Sequence, residues 1–387
     1  MKVVKEKTSK PIKMWLDDIE DGALEQAKNI ANLPFAFKHV AIMPDSHQGY
    51  GMPIGGVLAT KGVVIPNAVG VDIGCGMCAV KTSLKEIDAE TLKRILGEIR
   101  KVVPVGFNKH KDFQIEFPDM EDHLKVCLDN HENAGKSVGT LGGGNHFIEI
   151  QKGDDGHIWI MIHSGSRNLG LQVANYYNDI AKKINNKYFS SVDPKLDLAF
   201  LPLDSPEGHK YLAEMNYCVE FAFDNRKLMM DRVKESFINA HHSEVIIEFD
   251  AMINIAHNYA RTENHFGENV MVHRKGATSA KEGEIGIIPG SQGTKSYITR
   301  GLGNRDSFNS CSHGAGRVIG RKQAQRSLDL ESEIKSLEDK GILHSIRGEK
   351  DLDEAPSCYK DIDVVMENQK DLTEIVVELT PLAVIKG

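Results

Sequence analysis

One glycine-rich turn constrains this chain more than any other stretch of its 387 residues, and it reads Val71-Asp-Ile-Gly-Cys-Gly-Met77. The turn holds a carboxylate, Asp72, and a thiol, Cys75, in a segment too rich in glycine to be a buried strand. Cys78 adds only a single C-x-x-C, without the second pair of ligands that a structural zinc site needs. We therefore interpret Asp72 and Cys75 as half of a metal site whose other ligands come from elsewhere in the chain.

The composition is that of an ordinary globular protein, with 41% apolar and 26% charged residues. The sequence has no apolar run long enough to cross a membrane and no signal-peptide pattern at its start. The six cysteines are scattered without the rhythm of a disulfide framework, so we expect a cytoplasmic protein that contacts no membrane. The net charge of −8 argues against a protein that coats nucleic acid, but it leaves room for a local basic groove.

Apolar residues recur at 3.6-residue spacing in three segments, which predicts three amphipathic helices. The predicted helices are Gly22–Asn32, Asp88–Val103 and Pro206–Phe237. Short apolar segments between glycine-rich stretches predict strands. The predicted strands are His39–Met43, Val57–Ala59, Gly62–Ile65 and His157–His163. Between the first two strands, Pro44–Gly56 contains four glycines and two prolines and is predicted to be a long loop.

The glycine-rich blocks are not separated by low-complexity linkers, and the chain shows no repeat of solenoid period. We therefore expect all of the blocks to contribute to one site. This organisation predicts an α+β fold in which residues 1–387 form a single large domain. Central β-sheets would be flanked by helices, and long glycine-rich loops would form the active site.

Three histidines lie at the glycine-rich ends of predicted strands or helices, namely His146, His163 and His257. Each of them alone would more often be a hydrogen-bonded loop residue than a ligand. Together with Asp72 and Cys75, however, they supply five donors, and a thiolate can bridge two cations. The set therefore suits a dinuclear site, with Asp72, Cys75 and His146 around one ion and Cys75, His163 and His257 around the other. These mixed donors do not by themselves select Mn²⁺, Zn²⁺, Fe²⁺ or Co²⁺.

A nucleophile candidate, His313, lies in the turn Cys311-Ser-His-Gly-Ala-Gly-Arg317. Its glycines allow backbone N–H groups to approach a phosphate closely, and a helix starting there would direct its positive end at the anion. A neutral imidazole can attack phosphorus when a carboxylate holds its other nitrogen, and Asp45 is the candidate for that role. The alternative is a plain helix N-terminus with a capping histidine.

Two further groups of residues suggest contacts to a nucleotide or a nucleic acid. The turn Pro289-Gly-Ser-Gln-Gly-Thr-Lys-Ser296 offers amides and hydroxyls to a ribose or a base, unless it is only a type II turn. Arg167, Arg274 and Lys275 are candidate cations for a phosphate backbone. Runs of charge are, however, commonly just solvated surface.

At least seven ordered motifs together resemble the signatures of the RtcB family of RNA ligases. They are Pro44-Asp-Ser-His-Gln-Gly-Tyr-Gly-Met-Pro-Ile-Gly-Gly56, Val71-Asp-Ile-Gly-Cys-Gly-Met77, Gly143-Gly-Asn-His-Phe-Ile-Glu149, His163-Ser-Gly-Ser-Arg167, Pro289-Gly-Ser291, Cys311-Ser-His-Gly-Ala-Gly-Arg317 and Val384-Ile-Lys-Gly387. The resemblance covers residues 13–387. It implies an RtcB-like fold and a ligase that joins an RNA 3′-phosphate or 2′,3′-cyclic phosphate to a 5′-hydroxyl. GTP would be the co-substrate, and two Mn²⁺ ions would be bridged by Cys75.

The resemblance also implies roles for individual residues. His313 would be the guanylylated histidine, and the five donors fall on the positions of the metal ligands. Glu149 would read the guanine edge that distinguishes GTP from ATP. Asn168 and Gln292 depart from the family pattern, which leaves the fine substrate contacts open. The positions that match the guanylate pocket are Asn145, His146, Phe147, Ile148, Glu149, His257, Asn258, Pro289, Gly290, Ser291, Gln292, Ser296, His313, Gly314, Ala315, Gly316 and Lys386.

Two other interpretations remain open at this point. An enzyme that caps or repairs RNA 3′ ends with guanylate would use only the first half of the same chemistry. A non-catalytic RNA-binding module would keep the metal site as a relic, although the full set of ligands and the nucleophile speak against it. The sequence is compatible with roles in tRNA splicing and in RNA repair, and with a helper protein of the archease type.

Overall fold

The computed structural model describes residues 1–5, 9–115, 124–241 and 245–387. The strands are β1 (Lys2–Val4), β2 (Ile12–Met14), β3 (Ala36–His47), β4 (Ile54–Thr60), β5 (Val63–Val64), β6 (Gly76–Lys81), β7 (Phe147–Gly153), β8 (Ile158–Ser164), β9 (Leu201–Pro202), β10 (Ile253–Ala256), β11 (Asn258–His265), β12 (Glu268–Lys275), β13 (Ala277–Ser279), β14 (Ile285–Ile288), β15 (Ser296–Gly301), β16 (Ser310–Ser312) and β17 (Thr373–Lys386). The α-helices are α1 (Asp21–Ala31), α2 (Pro66–Val69), α3 (Ala89–Val102), α4 (Lys125–Asp129), α5 (His131–Ser137), α6 (Leu169–Lys187), α7 (Pro206–Ala240), α8 (Arg321–Ser327), α9 (Leu330–Glu338) and α10 (Ile362–Asn368).

Two large sheets organise these elements. One has six strands in the order β1-β2-β3-β4-β12-β11, and the other has seven in the order β10-β6-β8-β7-β17-β15-β14. Helices α3 and α7 pack together on the seven-stranded sheet, where apolar side chains of both helices meet isoleucines of β7 and β8. The expected α+β class, with sheets flanked by helices, is confirmed. The assignment of residues 1–387 to one domain stays a prediction.

The three predicted helices are confirmed as α1, α3 and α7. Helix α3 begins where the side chain of Asp88 accepts hydrogen bonds from the backbone N–H groups of Glu90 and Thr91. Helix α7 begins with Ser205 as its N-cap and Pro206 in its first turn, and it runs three residues beyond the predicted end at Phe237. The predicted strands His39–Met43 and Val57–Ala59 lie within β3 and β4, and His157–His163 overlaps all of β8 except Ser164. The fourth, Gly62–Ile65, was predicted too long, because β5 contains only Val63 and Val64.

The predicted loop over Pro44–Gly56 is wrong in its length. β3 continues to His47 and β4 starts at Ile54, so only residues 48–53 connect the two strands. The ladder becomes irregular between Ile42 and His47, and this irregularity accommodates the polar residues that suggested a loop. Gly55, at φ +79°, packs against the backbone of Ser46, where a side chain would clash.

The register of the seven-stranded sheet brings three separate glycine-rich blocks together at one end of the neighbouring strands β6, β8 and β7. His163 in β8 pairs with Met77 in β6 and with Phe147 in β7. Cys75 immediately precedes β6, and His146 immediately precedes β7. Because neighbouring strands lie about 4.8 Å apart, the side chains of Cys75, His146 and His163 can reach one another.

Helix α7, which carries no reactive motif, holds the backbone at these strand ends in place. The buried guanidinium of Arg226 donates to the carbonyl oxygens of Gly74 and Ser164, at 2.9 Å each. Asn225 accepts a hydrogen bond from the backbone N–H of Gly139 at 2.8 Å and donates to Ser164 Oγ at 3.0 Å. Buried polar groups on α7 therefore fix the glycine-rich turns by hydrogen bonds to their backbone. An apolar helix face could not make these bonds. No helix in the described part of the chain is long and apolar enough to cross a membrane.

Candidate metal and nucleotide site

The thiol of Cys75 lies at the centre of a buried cluster of donor atoms. Its Sγ atom is 3.4 Å from Nε2 of His146 and 3.3 Å from Nε2 of His163. The Nε2 atom of His146 is also 3.2 Å from Oδ2 of Asp72. The ligand atoms of Cys75, His146 and His163 all lie within 4.8 Å of one another, a spacing that allows one ion to contact all three.

The second nitrogen of each histidine shows what the cluster is built to bind. Nδ1 of His146 is 3.0 Å from the carbonyl oxygen of Leu141, and Nδ1 of His163 is 3.2 Å from that of Asn145. A carbonyl oxygen only accepts, so both Nδ1 atoms carry the hydrogen, and in the neutral rings both Nε2 atoms direct lone pairs towards Cys75. Two lone pairs and one sulfur facing each other suit a cation between them, which is the usual arrangement of histidine ligands.

His257 extends the cluster towards the predicted nucleophile. Its ring centroid is 5.1 Å from that of His163 and 4.8 Å from that of His313. Its Nδ1 atom is buried and has no hydrogen-bond partner among the described residues, an arrangement that costs about 1–3 kcal/mol unless a ligand satisfies it. Burial and the neighbouring histidines hold the pKa of His257 well below its usual value, so the ring is neutral and can bind a metal.

The acid–base properties of the cluster also fit a cation. Burial, together with the charge of Asp72, raises the pKa of Cys75 well above its usual value. Burial opposes the ionisation of Asp72, but when no metal is bound and the His146 ring is protonated, its hydrogen bond and its charge outweigh burial and lower the pKa of Asp72 to about 2. A metal ion bound here would have to displace the thiol proton, as metals do at cysteine ligands.

The predicted nucleophile is held by a buried carboxylate. Nδ1 of His313 is 2.6 Å from Oδ2 of Asp45, which is completely buried. The same oxygen accepts hydrogen bonds from the backbone N–H groups of His313 at 3.0 Å and of Gly314 at 3.3 Å. Asp45 therefore fixes both the ring and its turn, and it leaves Nε2 of His313 as the nitrogen available for reaction.

The basic helix expected after this turn is present, but it does not begin at the turn itself. Helix α8 begins only at Arg321, after its N-cap Gly320, and it is seven residues long. Gly316 adopts φ +77°, and a Cβ atom there would lie 2.1 Å from the carbonyl oxygen of Asp45. The glycines therefore serve to pack the turn onto β3 in a conformation that a helix does not allow.

A cavity of about 1110 Å³ joins the metal cluster to His313. Asp72, Cys75, His146, His163 and His257 all line it. Two positions expected in the guanylate pocket do not: Ile148 lies in the core on the opposite face of β7, and Ser296 is buried behind the wall. The other expected positions line the cavity, namely Asn145, His146, Phe147, Glu149, His257, Asn258, Pro289, Gly290, Ser291, Gln292, His313, Gly314, Ala315, Gly316 and Lys386.

Comparison with known proteins agrees with this geometry. A family model described as "tRNA-splicing ligase RtcB" matches residues 26–132 and 119–387. The chain belongs to the RtcB family. RNA-splicing ligase RtcB of Escherichia coli K12 is 39% identical to it, and the alignment covers 97% of both proteins. tRNA-splicing ligase RtcB of Thermococcus kodakarensis is 32% identical over 95% of this chain and 92% of that protein. The protein of the same name from Methanococcus maripaludis is 32% identical, with 97% and 93% covered.

One part of this RtcB-family cavity was missed by sequence reasoning. Glu354, with 4% of its side chain exposed, lies 3.1 Å from Arg317, 3.2 Å from Arg321 and 3.5 Å from Lys386, measured between their charged groups. It also accepts a hydrogen bond from the hydroxyl of Tyr359. These contacts lower the pKa of Glu354 although burial alone would raise it. Glu354 lies in a charged segment without a motif, so no sequence pattern distinguishes it from solvated surface.

The three cations expected to contact RNA lie in different environments. Arg167 donates to Oγ1 of Thr140 at 3.1 Å and packs against the turn at Gly142. Lys275 lines the cavity, where its Nζ atom donates to the carbonyl oxygens of Tyr50 at 2.6 Å and Asn67 at 3.0 Å. Burial lowers the pKa of Lys275 to about 7.

The expectation that Arg274 contacts RNA does not fit the structure. Its guanidinium is completely buried, pairs with both carboxylate oxygens of Glu263, and also donates to Ser310 and to the carbonyl oxygen of Phe308. Arg274 and Lys275 are consecutive in β12, so their side chains point to opposite faces of the strand. Only Lys275 reaches the cavity.

Replacing Arg274 with methionine should therefore affect stability and leave RNA binding unchanged. The variant removes the guanidinium from a buried ion pair and leaves Glu263 with its contact to His265, and breaking such a pair costs about 3–5 kcal/mol in the free energy of unfolding. Urea denaturation measures this loss. The matched control is Arg300→Met, because Arg300 pairs with Glu374 at the surface and should contribute less than about 1 kcal/mol. Equal losses in the two variants would contradict a structural role for Arg274.

Glu149 makes the stability of the protein dependent on pH. Burial raises its pKa to about 8, although a hydrogen bond from Gln151 and the charge of Lys386 act in the opposite direction. A carboxyl with a raised pKa binds its proton more tightly in the folded state. Its contribution to stability is therefore complete below the ordinary pKa of 4.5 and is lost as the pH rises to about 8.

Replacing Glu149 with glutamine should remove this dependence. Between about pH 5 and about pH 9, the free energy of unfolding of the wild type should fall relative to that of the Glu149→Gln variant. Only the wild type has a carboxyl group at position 149, and this group loses its proton at lower pH in the unfolded state than in the folded state. Urea denaturation at the two pH values, without nucleotide, provides the comparison. A difference between the two proteins that does not change with pH would contradict the raised pKa.

Proposed function

We propose that this protein joins RNA 3′-phosphate or 2′,3′-cyclic phosphate ends to 5′-hydroxyl ends, with GTP as co-substrate and two Mn²⁺ ions. The observation that carries this proposal is the pairing of His313 with the buried carboxylate of Asp45, beside the donors around Cys75. The names of the relatives, RNA-splicing ligase and tRNA-splicing ligase, support RNA as the substrate.

In the first step, Nε2 of His313 attacks the α-phosphorus of GTP. A nitrogen–phosphorus bond forms, the bond from this phosphorus to the β-phosphate oxygen breaks, and pyrophosphate leaves. Asp45 accepts the hydrogen bond from Nδ1–H, so it keeps the lone pair on Nε2 and stabilises the positive charge that develops on the ring. The product is guanylylated His313.

In the later steps, an oxygen of the RNA 3′-phosphate attacks the guanylate phosphorus and releases His313. The RNA then carries guanylate in a pyrophosphate linkage at its 3′ end. The 5′-hydroxyl of the second RNA end attacks the 3′-phosphate, a phosphodiester bond forms, and GMP leaves. A cyclic end would first be opened by water to the 3′-phosphate.

Two groups of donors would hold the ions, with Cys75 common to both. Asp72 and His146 complete one group, and His163 and His257 complete the other. Bound ions would polarise phosphate oxygens and offset the charge of the attacking and leaving groups. The donors suit several divalent metals, so the preference for Mn²⁺ rests on the family resemblance.

The remaining cavity suits a guanine nucleotide. Glu149 and Phe147 face it from β7, and Lys386 lies 5.7 Å from the centre of the Phe147 ring. A carboxylate at Glu149 would accept hydrogen bonds from the N–H groups of guanine, which adenine lacks at those positions. Lys386, neighboured by Glu354, would contribute a cation to the nucleotide. Arg167 and Lys275 are proposed to contact RNA phosphates.

The proposal is tested by incubating the protein with GTP and Mn²⁺ and measuring its intact mass. The expected result is a covalent adduct of one guanylate, which acid removes and alkali does not, as is typical of a phosphoramidate. ATP in place of GTP should give little adduct. A protein that binds Mn²⁺ but forms no adduct with GTP would refute the proposal.

A second assay separates joining from capping. An RNA strand with a 3′-phosphate is supplied with and without a strand that has a 5′-hydroxyl. Joined product in the presence of both strands supports the ligase, whereas a guanylate cap without joining supports the 3′-end capping enzyme. Joining limited to one turnover per protein would support a helper protein of the archease type.

We also propose that the reaction takes place in the cytoplasm, in tRNA splicing or RNA repair. All six cysteines are free and buried, and Cys75 must stay reduced to bind a metal. Comparing the rates of joining for a cleaved tRNA and for other cleaved RNAs distinguishes the two roles. A strong preference for the tRNA halves would favour splicing.

A further inference from the structure

Phe107 is the most exposed large apolar side chain among the described residues, with a relative exposure of 102%. It lies in the segment after α3 that the sequence shows to be basic, Gly106-Phe-Asn-Lys-His-Lys111. A phenyl ring in water contributes nothing to the stability of the fold, because apolar area stabilises only when it is buried. Single exposed apolar residues are common on protein surfaces, so the surroundings of Phe107 decide whether its ring has a binding role.

The backbone that carries this ring is well anchored. The N–H of Gly106 donates to the carbonyl oxygen of Gly142 at 2.9 Å, and the N–H of His110 donates to that of Lys136 at 2.9 Å. Between them, the N–H of Asn108 donates to the carbonyl oxygen of Val105 at 3.2 Å. The ring is thus presented from a fixed position, so binding to it costs little conformational entropy.

The segment borders the catalytic cavity. Gly143 lines the cavity, and a Cβ atom on it would lie 3.8 Å from Cα of Gly106. The glycines on either side of Gly143 also contact cations: Gly142 packs against the guanidinium of Arg167, and Gly144 packs against that of Arg321. The backbone next to Phe107 therefore lies against a turn that lines the cavity and that contacts two arginines, of which Arg321 also lines the cavity.

The charge around the ring identifies the kind of partner. Lys109, His110 and Lys111 follow it after Asn108, and both lysines are exposed. A stacking ring followed by cations is the arrangement with which proteins bind single-stranded nucleic acid, because the base stacks on the ring and the cations contact the phosphates. A protein partner would favour a wider apolar surface, with the charges at its edge.

We propose that Phe107 stacks on a nucleobase of an RNA strand whose end lies in the cavity, while Lys109 and Lys111 contact its backbone. This inference rests on the proposed function, because it takes RNA to be the substrate. Stacking on an aromatic ring tolerates every base, so the contact would support joining without sequence preference. Phe107 would thereby hold a strand in place while its end reacts.

Fluorescence anisotropy with short single-stranded RNAs, one ending in a 3′-phosphate and one in a 5′-hydroxyl, tests this role. Phe107→Ala should weaken the binding of at least one of them about 10-fold, and Phe107→Trp should restore it. Guanylylation of His313 by GTP should be unchanged in both variants. The matched control is Phe189→Ala, because Phe189 is 93% exposed but lines a separate cavity of about 330 Å³. Wild-type affinity for both RNAs in the Phe107→Ala variant would overturn the proposal.

Abasic substitutions, made one at a time along the bound RNA, identify the stacked base. One of them should weaken binding to the wild type but cause no further loss in Phe107→Ala, because the variant has already lost that contact. Losses that add fully at every position would overturn the proposal, as would a change in oligomeric state without a change in RNA affinity. The proposed function fails separately, if the wild-type protein neither binds nor joins RNA.

Discussion

Replacing His313 with alanine is expected to abolish the guanylate adduct and RNA joining completely. The imidazole is the only group that we assign to forming the covalent bond, and its Nδ1 atom is already bound to Asp45 at 2.6 Å. Without the ring, the nitrogen that we assign to the attack on the α-phosphorus is absent. Intact-mass measurement after incubation with GTP and Mn²⁺ should show only unmodified protein. The surface variant His209→Ala, on helix α7, serves as the control and should form the adduct normally.

Asp45→Asn provides a graded test of the same pairing. An amide oxygen in the place of Oδ2 can still accept from Nδ1–H and from the two backbone N–H groups, but it lacks the negative charge that stabilises the ring as the nitrogen–phosphorus bond forms. We expect guanylylation to slow by a factor of about 10²–10⁴, as in other sites where a carboxylate orients a histidine. Single-turnover kinetics with GTP measure this rate, and the melting temperature shows whether the turn at His313 still folds. A folded variant that reacts at the wild-type rate would exclude the orienting role of Asp45.

The local features of the fold could be predicted from the sequence because they depend on local physics. Helices α3 and α7 have caps at Asp88 and Ser205 and apolar residues at helical spacing, which are visible within one segment. The order of strands in the sheets could not be predicted. β17, at the end of the chain, lies between β7 and β15, and its neighbours are set by packing between distant segments.

For the site, the residue types with suitable chemistry could be predicted from the sequence, but the arrangement of their side chains could not. Sequence reasoning selected Cys75 and His163 because they belong to a set of five metal-donor residues that lie at glycine-rich turns or at the ends of predicted elements. It could not distinguish the buried Arg274 from the cavity-lining Lys275, because only the pairing of β12 with β11 and β4 shows which of the two side chains reaches the cavity. It also missed Glu354, whose neighbouring cations come from α8, from the preceding turn and from the end of β17. Charge pairs between distant segments leave no pattern in one sequence.

Replacing Cys75 with alanine is expected to remove both the bound metal and the activity. The Sγ atom of Cys75 lies 3.4 Å from Nε2 of His146 and 3.3 Å from Nε2 of His163, so its loss takes a ligand from each of the two proposed ions. We expect the affinity for Mn²⁺ to fall at least about 100-fold and the guanylate adduct to be lost. Isothermal titration of the metal-free protein with Mn²⁺ measures the affinity, and intact mass after addition of GTP measures the adduct.

The control lies three residues further along the chain, in β6. Cys78 is equally buried, but its Sγ atom points into the core, 3.9 Å from the carbonyl oxygen of Arg226, where burial raises its pKa to about 12. Cys78→Ala should therefore keep metal and activity and lose only about 1 kcal/mol of stability. Loss of metal in both variants would mean that the turn is merely sensitive to substitution. Retention of two ions in Cys75→Ala would exclude the bridging thiolate, because His146 and His163 would then hold their ions without it.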